Sequence, residues 1–553
     1  MEKLELVKIE NGRIYYKSKD AIIINRLGGQ AVRKQWNTYR IFLNVYSLRL
    51  FYSLLPKTEI RARDIIKKAY QKLALHINKL SEMKKLEDVE GDTRLRPYQR
   101  VDVKILKELG TTKLLLNEMR LGKSPTTLIA LTEENVKTAI LVCPASLLYQ
   151  WQDEIRTWTH YIPIIIDGTK TKRIKIYKEM KEINCELPII WIISYETLRE
   201  DMKEVTEAEA EKTKKKAKKR IFPKINFDAL VIDEAHRLRN HQSQQSKALY
   251  KLSNKCNYKY LLTGTPVINS ADEIFGMLKM AFPTMYSSYW EFAHYYFNVM
   301  KGEYTDYEVL DIKRKKELQS VVYMLSIQRK RKDVMKWLPE KEYQRIYLEF
   351  DAKQKKHYDK MLNTFETEHV SAINTLSQLT RLKQITMNPA ILDLDGASPK
   401  EQYILDFITN NVDASILIFS TSTKFLKELS KKLKVKHQMI IGRIAKNLRN
   451  VYKKQFQNGE IRVLLLNIKA SQEGLTLDEA DYAIFADRLY EYELNIQAED
   501  RYIPISEDRV KPKTIIDLLH KNSVDERLYD EILVKKGNAT KIINNIGLKE
   551  FLK

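Results

Sequence analysis

Two short segments carry the residue types that phosphoryl chemistry needs. The apolar run Leu114, Leu115 and Leu116 leads into Asn117, Glu118, Met119, Arg120, Leu121, Gly122, Lys123 and Ser124, and a helical pattern follows. A glycine beside a lysine where a strand turns into a helix lets backbone N–H groups and the helix N-terminus wrap a triphosphate. Lys123 is then placed for the β- and γ-phosphates of ATP, and the Ser124 hydroxyl for a Mg2+ ion. The string G-x-x-x-x-G-K-[ST] is not complete, because Asn117 stands where its first glycine would be. Further along, Asp228–Ile232 reads as a strand that delivers Asp233 and Glu234, followed by Ala235 and His236. At the end of a buried strand Asp233 can hold the metal, directly or through water. Glu234 can polarise the water that attacks the γ-phosphate.

Shorter segments fall around these two. Arg96 and Gln99 lie in Leu95–Gln99, upstream of the loop, where a glutamine amide offers the donor and acceptor that adenine's edge pairs with. Ser146, Ser194 and the Thr263, Gly264, Thr265, Pro266 segment each follow an apolar run. Short hydroxyl residues and glycines at strand ends suit contacts to a sugar-phosphate backbone.

The elements that must position these residues are legible as short, nearly all-apolar runs, the mark of buried parallel strands. The first set is Lys113–Leu116, Thr138–Cys143, Ile189–Ile193, Ala229–Ile232 and Tyr260–Leu262. The second is Ser415–Phe419, Gln438–Ile441, Val463–Leu466, Tyr482–Phe485 and Thr514–Leu518. Strands alternating with helices predict an α/β fold of two parallel-sheet lobes. The expected division is a small α+β N-terminal domain over 1–90, a first lobe over 91–284, a helical protrusion and linker over 285–395, and a second lobe over 396–553.

Composition bounds the partners. The 553 residues hold 96 Lys and Arg against 72 Asp and Glu, a net charge of +24, which points to a polyanion, most often nucleic acid. Residues 212–220 hold a basic run, KTKKKAKKR, read as a solvated surface insertion, with a nuclear address or a DNA-touching loop as the other readings. The longest apolar run, Leu187–Ile193, is far short of the ~18 residues a membrane span needs. Three separated cysteines, Cys143, Cys185 and Cys256, make neither a disulfide framework nor a structural zinc site. The N-terminus lacks an apolar signal core. A cytoplasmic protein of a bacterial cell or phage-infected host is expected, or a nuclear one in a eukaryote.

In order and wording these segments resemble the Snf-type helicase-like ATPases of superfamily two. DEAHRLRN (233–240), ISYETLR (193–199), LTGTPVINSADEIFGML (262–278) and RKRKDVMKWLPEK (329–341) carry the likeness, as do LTRLKQITMNPAIL (379–392), ILIFSTSTKFLKEL (416–429) and the stretch 470–501. The resemblance implies two tandem RecA-like lobes with helical insertions and ATP-driven translocation along double-stranded DNA. It implies that Arg96, Gln99, Met119, Arg120, Leu121, Gly122, Lys123, Ser124, Asp233 and Glu234 bind and hydrolyse ATP with Mg2+, and that Gln497 and Arg501 complete the site from lobe two. Ser146, Ser194, Ser420, Ser471 and Gly474 match positions that face DNA.

Two departures stand out. Arg120 replaces a glycine usual in that family's loop. Pro504 stands where its second motif-six arginine would be, and Arg509 has the wrong spacing to replace it. Residues 24–56 resemble the HARP-like module of fork-reversing members, which makes Lys34, Trp36, Arg40 and Arg49 candidate DNA contacts. All catalytic motifs lie beyond Arg94, so removal of 1–90 is expected to leave a soluble ATPase. The function expected is remodelling of double-stranded or branched DNA, such as fork reversal or branch migration, in replication, recombination or repair. The alternatives are removal of proteins such as RNA polymerase from DNA, and an ATP-binding DNA clamp with little turnover.

Overall fold

The computed structural model describes residues 4–27, 30–32, 35, 38–182, 187–204, 220–266, 270–300, 308–338, 341–442, 444, 446–470, 477–504 and 513–530. The described chain forms two compact units that meet in sequence at Lys330 and Arg331.

The first unit opens on an antiparallel sheet. Strands β1 (Glu5–Glu10), β2 (Arg13–Lys17), β3 (Gln30–Ala31) and β4 (Thr38–Phe42) pair in the order β1-β2-β4-β3. Asn11 and Gly12, with φ of 51° and 72°, make the two-residue turn between β1 and β2 that only such residues adopt readily. Helices Val45–Leu54 and Ile60–Lys84 follow, the first closed by a capping box between Asn44 and Ser47.

This module is not a detachable cap. Phe42 packs among Tyr286, Tyr295 and Tyr296 at ring distances of 5.0, 4.9 and 5.7 Å. Its apolar residues share one continuous core with Leu114, Leu116, Ile140 and Ile232 of the parallel sheet. Buried Arg13 pairs with Glu291 and donates to the Met285 carbonyl at 2.6 Å. Removing 1–90 would therefore open that core, which works against the soluble remainder expected from the sequence. Glu291 also takes Arg40 at 2.9 Å, so Glu291→Ala leaves a buried guanidinium without its carboxylate. Breaking a buried pair this way costs about 3–5 kcal/mol. Urea denaturation followed by far-UV circular dichroism should show the midpoint fall accordingly.

The parallel sheet follows from the apolar runs. Its strands are β5 (Thr112–Leu115), β6 (Thr138–Cys143), β7 (Ile162–Ile166), β8 (Ile189–Ser194), β9 (Phe227–Asp233) and β10 (Cys256–Leu262). A hairpin of β11 (Phe297–Met300) and β12 (Glu308–Ile312) comes next, then β13 (Ser326–Ile327), which returns to the sheet. The order β13-β5-β10-β9-β6-β8-β7 puts the two chemistry-bearing strands, β5 and β9, on either side of β10.

The second unit is a six-stranded parallel sheet. It contains β14 (Lys341–Leu348), β17 (Ile416–Ser420), β18 (His437–Ile440), β19 (Val463–Asn467), β20 (Tyr482–Phe485) and β21 (Lys513–His520), in the order β14-β21-β20-β17-β19-β18. A short hairpin, β15 (Glu366–Thr367) with β16 (Val370–Ser371), lies between helices Ala352–Thr364 and Thr375–Met387. The stretch 285–395, expected as one helical connection, is divided. Helices Tyr289–Tyr296 and Lys315–Leu325 belong to the first unit, and everything from Arg331 to the second.

Candidate active site

Lys123, Asp233, Glu234 and Thr263 all stand at the carboxyl ends of neighbouring strands, where open parallel sheets place their ligands. The loop after β5 is held from both sides. Leu116 N donates to the Ile327 carbonyl at 2.8 Å, and Glu118 N to the Arg329 carbonyl at 3.0 Å. Arg120 has φ of 67°, so the glycine-like backbone survives with an arginine in it, at a cost of roughly 1–2 kcal/mol. At Gly122, φ is 69° and a Cβ would lie 2.0 Å from Gln99 Nε2, so both conformation and space demand glycine. Gly122 caps helix Lys123–Glu133, whose first turn carries Lys123 and Ser124 and no acidic residue. Lys123 Nζ bends back to the carbonyls of Asn117 and Glu118 at 3.0 and 3.4 Å.

Gln99 braces the loop from the helix before it. Its Nε2 donates to the Leu121 carbonyl at 3.1 Å and its Oε1 accepts from Arg96 N at 2.8 Å. Tyr98 adds a hydroxyl donation to the same Leu121 carbonyl at 3.3 Å. Each end of the amide thus makes one bond to the protein, and Gln99 clamps the loop.

Asp102 escaped the sequence reading. It is fully buried and accepts from Asn117 Nδ2 at 2.7 Å and from Arg329 Nε at 2.6 Å. Burial pushes its carboxyl up, against the pull of Arg329. The available signal was an acid on the apolar face of helix Pro97–Glu108, among Tyr98, Val101 and Ile105.

The acidic pair is equally constrained. Asp233 Oδ2 accepts from Trp151 Nε1 at 2.8 Å, and Oδ1 from Glu234 N at 2.9 Å. Glu234 sits at φ 54°, a strained backbone of the kind that gathers at functional sites. His236 Nδ1 lies 3.1 Å from Thr263 Oγ1 and 3.3 Å from Glu234 Oε2, and Thr263 N donates to the Leu115 carbonyl at 3.1 Å. A Cβ on Gly264 would come 3.2 Å from Met119 N, so β10's exit loop touches the phosphate loop. His236 therefore links the carboxylate to the strand beside the loop. Burial, then the Glu234 charge, push Asp233 up to about 6, opposed by the Trp151 indole and the Lys123 charge.

In the second unit, Gln497 is buried on helix Tyr492–Asp500, and Arg501 is half-buried at its C-cap. The Arg501 carbonyl accepts from Leu477 N at 2.8 Å. A buried charge network braces the helix end. Arg488 donates to Glu499 at 2.7 Å and to Asp517, and stacks 4.1 Å over the Phe485 ring. Lys341 pairs with Glu499 and Asp500 at 2.9 and 3.3 Å, and Arg331 with Asp500 at 2.8 Å. Three cations thus meet three carboxylates. Burial alone would raise Glu499, but Lys341 and Arg488 outweigh it and bring it down to about 2.

The expected DNA contacts fare unevenly. Ser146 is half-buried in the turn after β6. Ser194 is buried as the cap of helix Tyr195–Asp201, taking Thr197 N at 3.1 Å. Ser420 is fully buried and donates to Asp487 at 2.8 Å. Both hydroxyls are turned to protein partners, and Arg40, a third exposed, is the Glu291 partner described above. Arg49 is exposed on helix Val45–Leu54. Near it, Tyr46 and Lys313, Arg314, Lys315 and Lys316 line an open basic cavity that the sequence reading missed. Lys34, Trp36, Ser471, Gly474 and Arg509, with residues 212–219 of the basic run, lie outside the described residues. Among the described residues, His357, Glu368 and Asp395 bring possible metal-ligand atoms within 4.8 Å of one another, with Lys353 already paired to Asp395 at 2.7 Å.

Residues 68–391 match the family model of the SNF2-related domain, and 399–503 that of the helicase conserved C-terminal domain. The chain is 25% identical over 475 residues to chromodomain-helicase-DNA-binding protein 1-like of Danio rerio, covering 80% of this chain and 43% of that protein. It is 26% identical over 480 residues to the ISWI chromatin-remodeling complex ATPase ISW1 of Saccharomyces cerevisiae, covering 80% and 40%. It therefore spans less than half the length of these curated relatives. The solved Sulfolobus solfataricus SWI2/SNF2 ATPase core in complex with dsDNA is 22% identical, covering 84% of this chain and 97% of that one, at a TM-score of 0.38.

Proposed function

The chain belongs to the SNF2-related family, and we propose that it hydrolyses ATP to move along double-stranded DNA and remodel it. The observation that carries this reading is the union, at one sheet edge, of the glycine-lysine loop with the acidic pair through Thr263, His236 and Gly264. The loop amides and Lys123 hold the triphosphate, and Glu234 polarises the attacking water. Ser124 and Asp233 offer the hard oxygen donors that suit Mg2+, which would neutralise phosphate charge. The +24 charge and the DNA-binding in the name of the Danio rerio relative support a DNA track.

Branched DNA remains part of the proposal, with less support from the N-terminal module now that Arg40 is committed to Glu291. The test is ATP hydrolysis measured without DNA, then with single strands, duplex and forks. Duplex stimulation supports the reading. Equal turnover with and without any DNA overturns the track, and no turnover at all leaves the clamp.

Asp233 gives this reading a pH signature. Its carboxyl is raised above the ordinary range, so its ionised form works against the fold, and that penalty starts to shrink as pH falls below about 6 and is gone only below the ordinary carboxylate range. Holding the metal requires the ionised form. Mg2+-dependent turnover should therefore rise with pH through about 6 and level off above it. At pH 7.5, Asp233→Asn should abolish turnover yet raise the melting temperature. A lowered melting temperature would show that the charge stabilises the fold instead.

A further inference from the structure

The segment where the two units meet in sequence carries an arginine on each side of Lys330, and each is committed to a different unit. Arg329 belongs to the phosphate loop. Its carbonyl takes Glu118 N at 3.0 Å, and its Nε reaches buried Asp102 at 2.6 Å, which in turn holds Asn117 Nδ2 at 2.7 Å. One residue thus fixes both of the first two positions of the loop. Arg331 belongs to the second unit. Its Nη1 lies 2.8 Å from Asp500, which is almost fully buried and adjoins Arg501 in sequence, and its carbonyl takes Met335 N at 2.7 Å.

Both carboxylates sit where water does not compete. Asp102 is 0% and Asp500 2% exposed, so neither ion pair is the solvent-screened kind that contributes little. Two residues of extended chain span at most about 7 Å. The backbone that leaves the loop's anchor therefore becomes, within that length, the anchor of the helix that ends in Arg501.

We propose that Arg329 and Arg331 are paired positioning residues that make this segment a short, stiff tether, so that a change at the phosphate loop is passed to the Arg501 helix. Neither touches the reacting atoms. Arg329 sets the loop through Asp102 and Asn117, and Arg331 sets Arg501 through Asp500. The inference rests on the ATPase reading above.

Tether length separates this role from simple structural support. Inserting Gly-Ser-Gly-Ser after Lys330 keeps both ion pairs and both cores. It should leave the melting temperature and the affinity for a fluorescent ATP analogue within 2-fold, while DNA-stimulated kcat falls at least 10-fold with KM little changed. The companion measurement is hydrogen exchange over 492–500. Adding a non-hydrolysable ATP analogue should slow it in the unaltered chain and not in the insertion variant. As a control on the anchors, Arg331→Met should speed exchange over 492–500 but not over 117–122, Arg329→Met the reverse, and Arg331→Lys should recover part of the lost turnover. If the insertion variant keeps its stimulated turnover, or if the analogue slows exchange equally in both chains, the tether is overturned while the ATPase reading stands. A chain that binds no ATP analogue overturns both.

Discussion

Lys123→Ala is expected to lower ATP turnover by about 10²–10³, the loss seen when one preorganised charge-stabilising donor is taken from a dry site. Lys123 is the loop cation at the start of the helix, with its ammonium gathered on the carbonyls of Asn117 and Glu118 at 3.0 and 3.4 Å. Those carbonyls hold the ammonium at the loop without neutralising it, so it is positioned before any phosphate arrives. Its charge also pulls the Asp233 carboxyl down, and alanine should let that group rise further. The variant should therefore lose turnover and also need a higher pH to reach its plateau. The rest of the loop is braced elsewhere, by Gln99, Asp102 and Arg329, so the melting temperature should move little. The decisive comparison is single-turnover hydrolysis on saturating duplex beside a thermal melt. Turnover within a few-fold of the unaltered chain, in a folded variant, would remove Lys123 from the phosphate site.

The chemistry-bearing residues were easier to read than the residues that support them. Buried parallel strands announce themselves as short apolar runs, so β5, β6, β8, β9 and β10 were legible, and with them the places where Lys123, Asp233 and Glu234 must stand. The edge strands β13 and β14 were not, although edge strand β18 was. Strand β14 reads KEYQRIYL and is largely exposed, with no apolar run, and β13 has two residues. Both exist because a neighbouring strand offers a ladder, which is a tertiary fact. Asp102, Arg329 and Arg331 were hidden for the same reason: an ion pair 227 residues apart in sequence leaves no local pattern. Serines carry two uses that sequence alone does not separate: a hydroxyl at a strand end suits a phosphate contact, yet Ser194 also satisfies a helix terminus and Ser420 a buried aspartate. Arg40, read as a candidate DNA contact, is also a counter-charge for Glu291.

Arg501→Ala is expected to reduce DNA-stimulated turnover by about 10³ or more, since an arginine supplied to the transition state of phosphoryl transfer is worth ~10³–10⁵ in rate. The family resemblance gives Arg501 that role. Its carbonyl, not its side chain, holds Leu477, so alanine keeps that bond. The helix before it is fixed by Glu499 and Asp500 within the network of Arg488, Lys341 and Arg331. DNA affinity and melting temperature should stay near those of the unaltered chain. Arg501→Lys should recover only a small part of the rate, because an ammonium lacks the planar fork that spans two oxygens. Pro504 sharpens the test. It is buried directly after Tyr502 and Ile503, and proline offers no donor. Pro504→Arg would force a cation into that buried position, so it should destabilise the second unit and leave turnover no faster. That reverses the simple hope that restoring an arginine at this position restores rate. If Arg501→Ala hydrolyses ATP within a few-fold of the unaltered chain on saturating duplex, the transition-state arginine comes from elsewhere, and Arg509 or a partner protein is next to be tested.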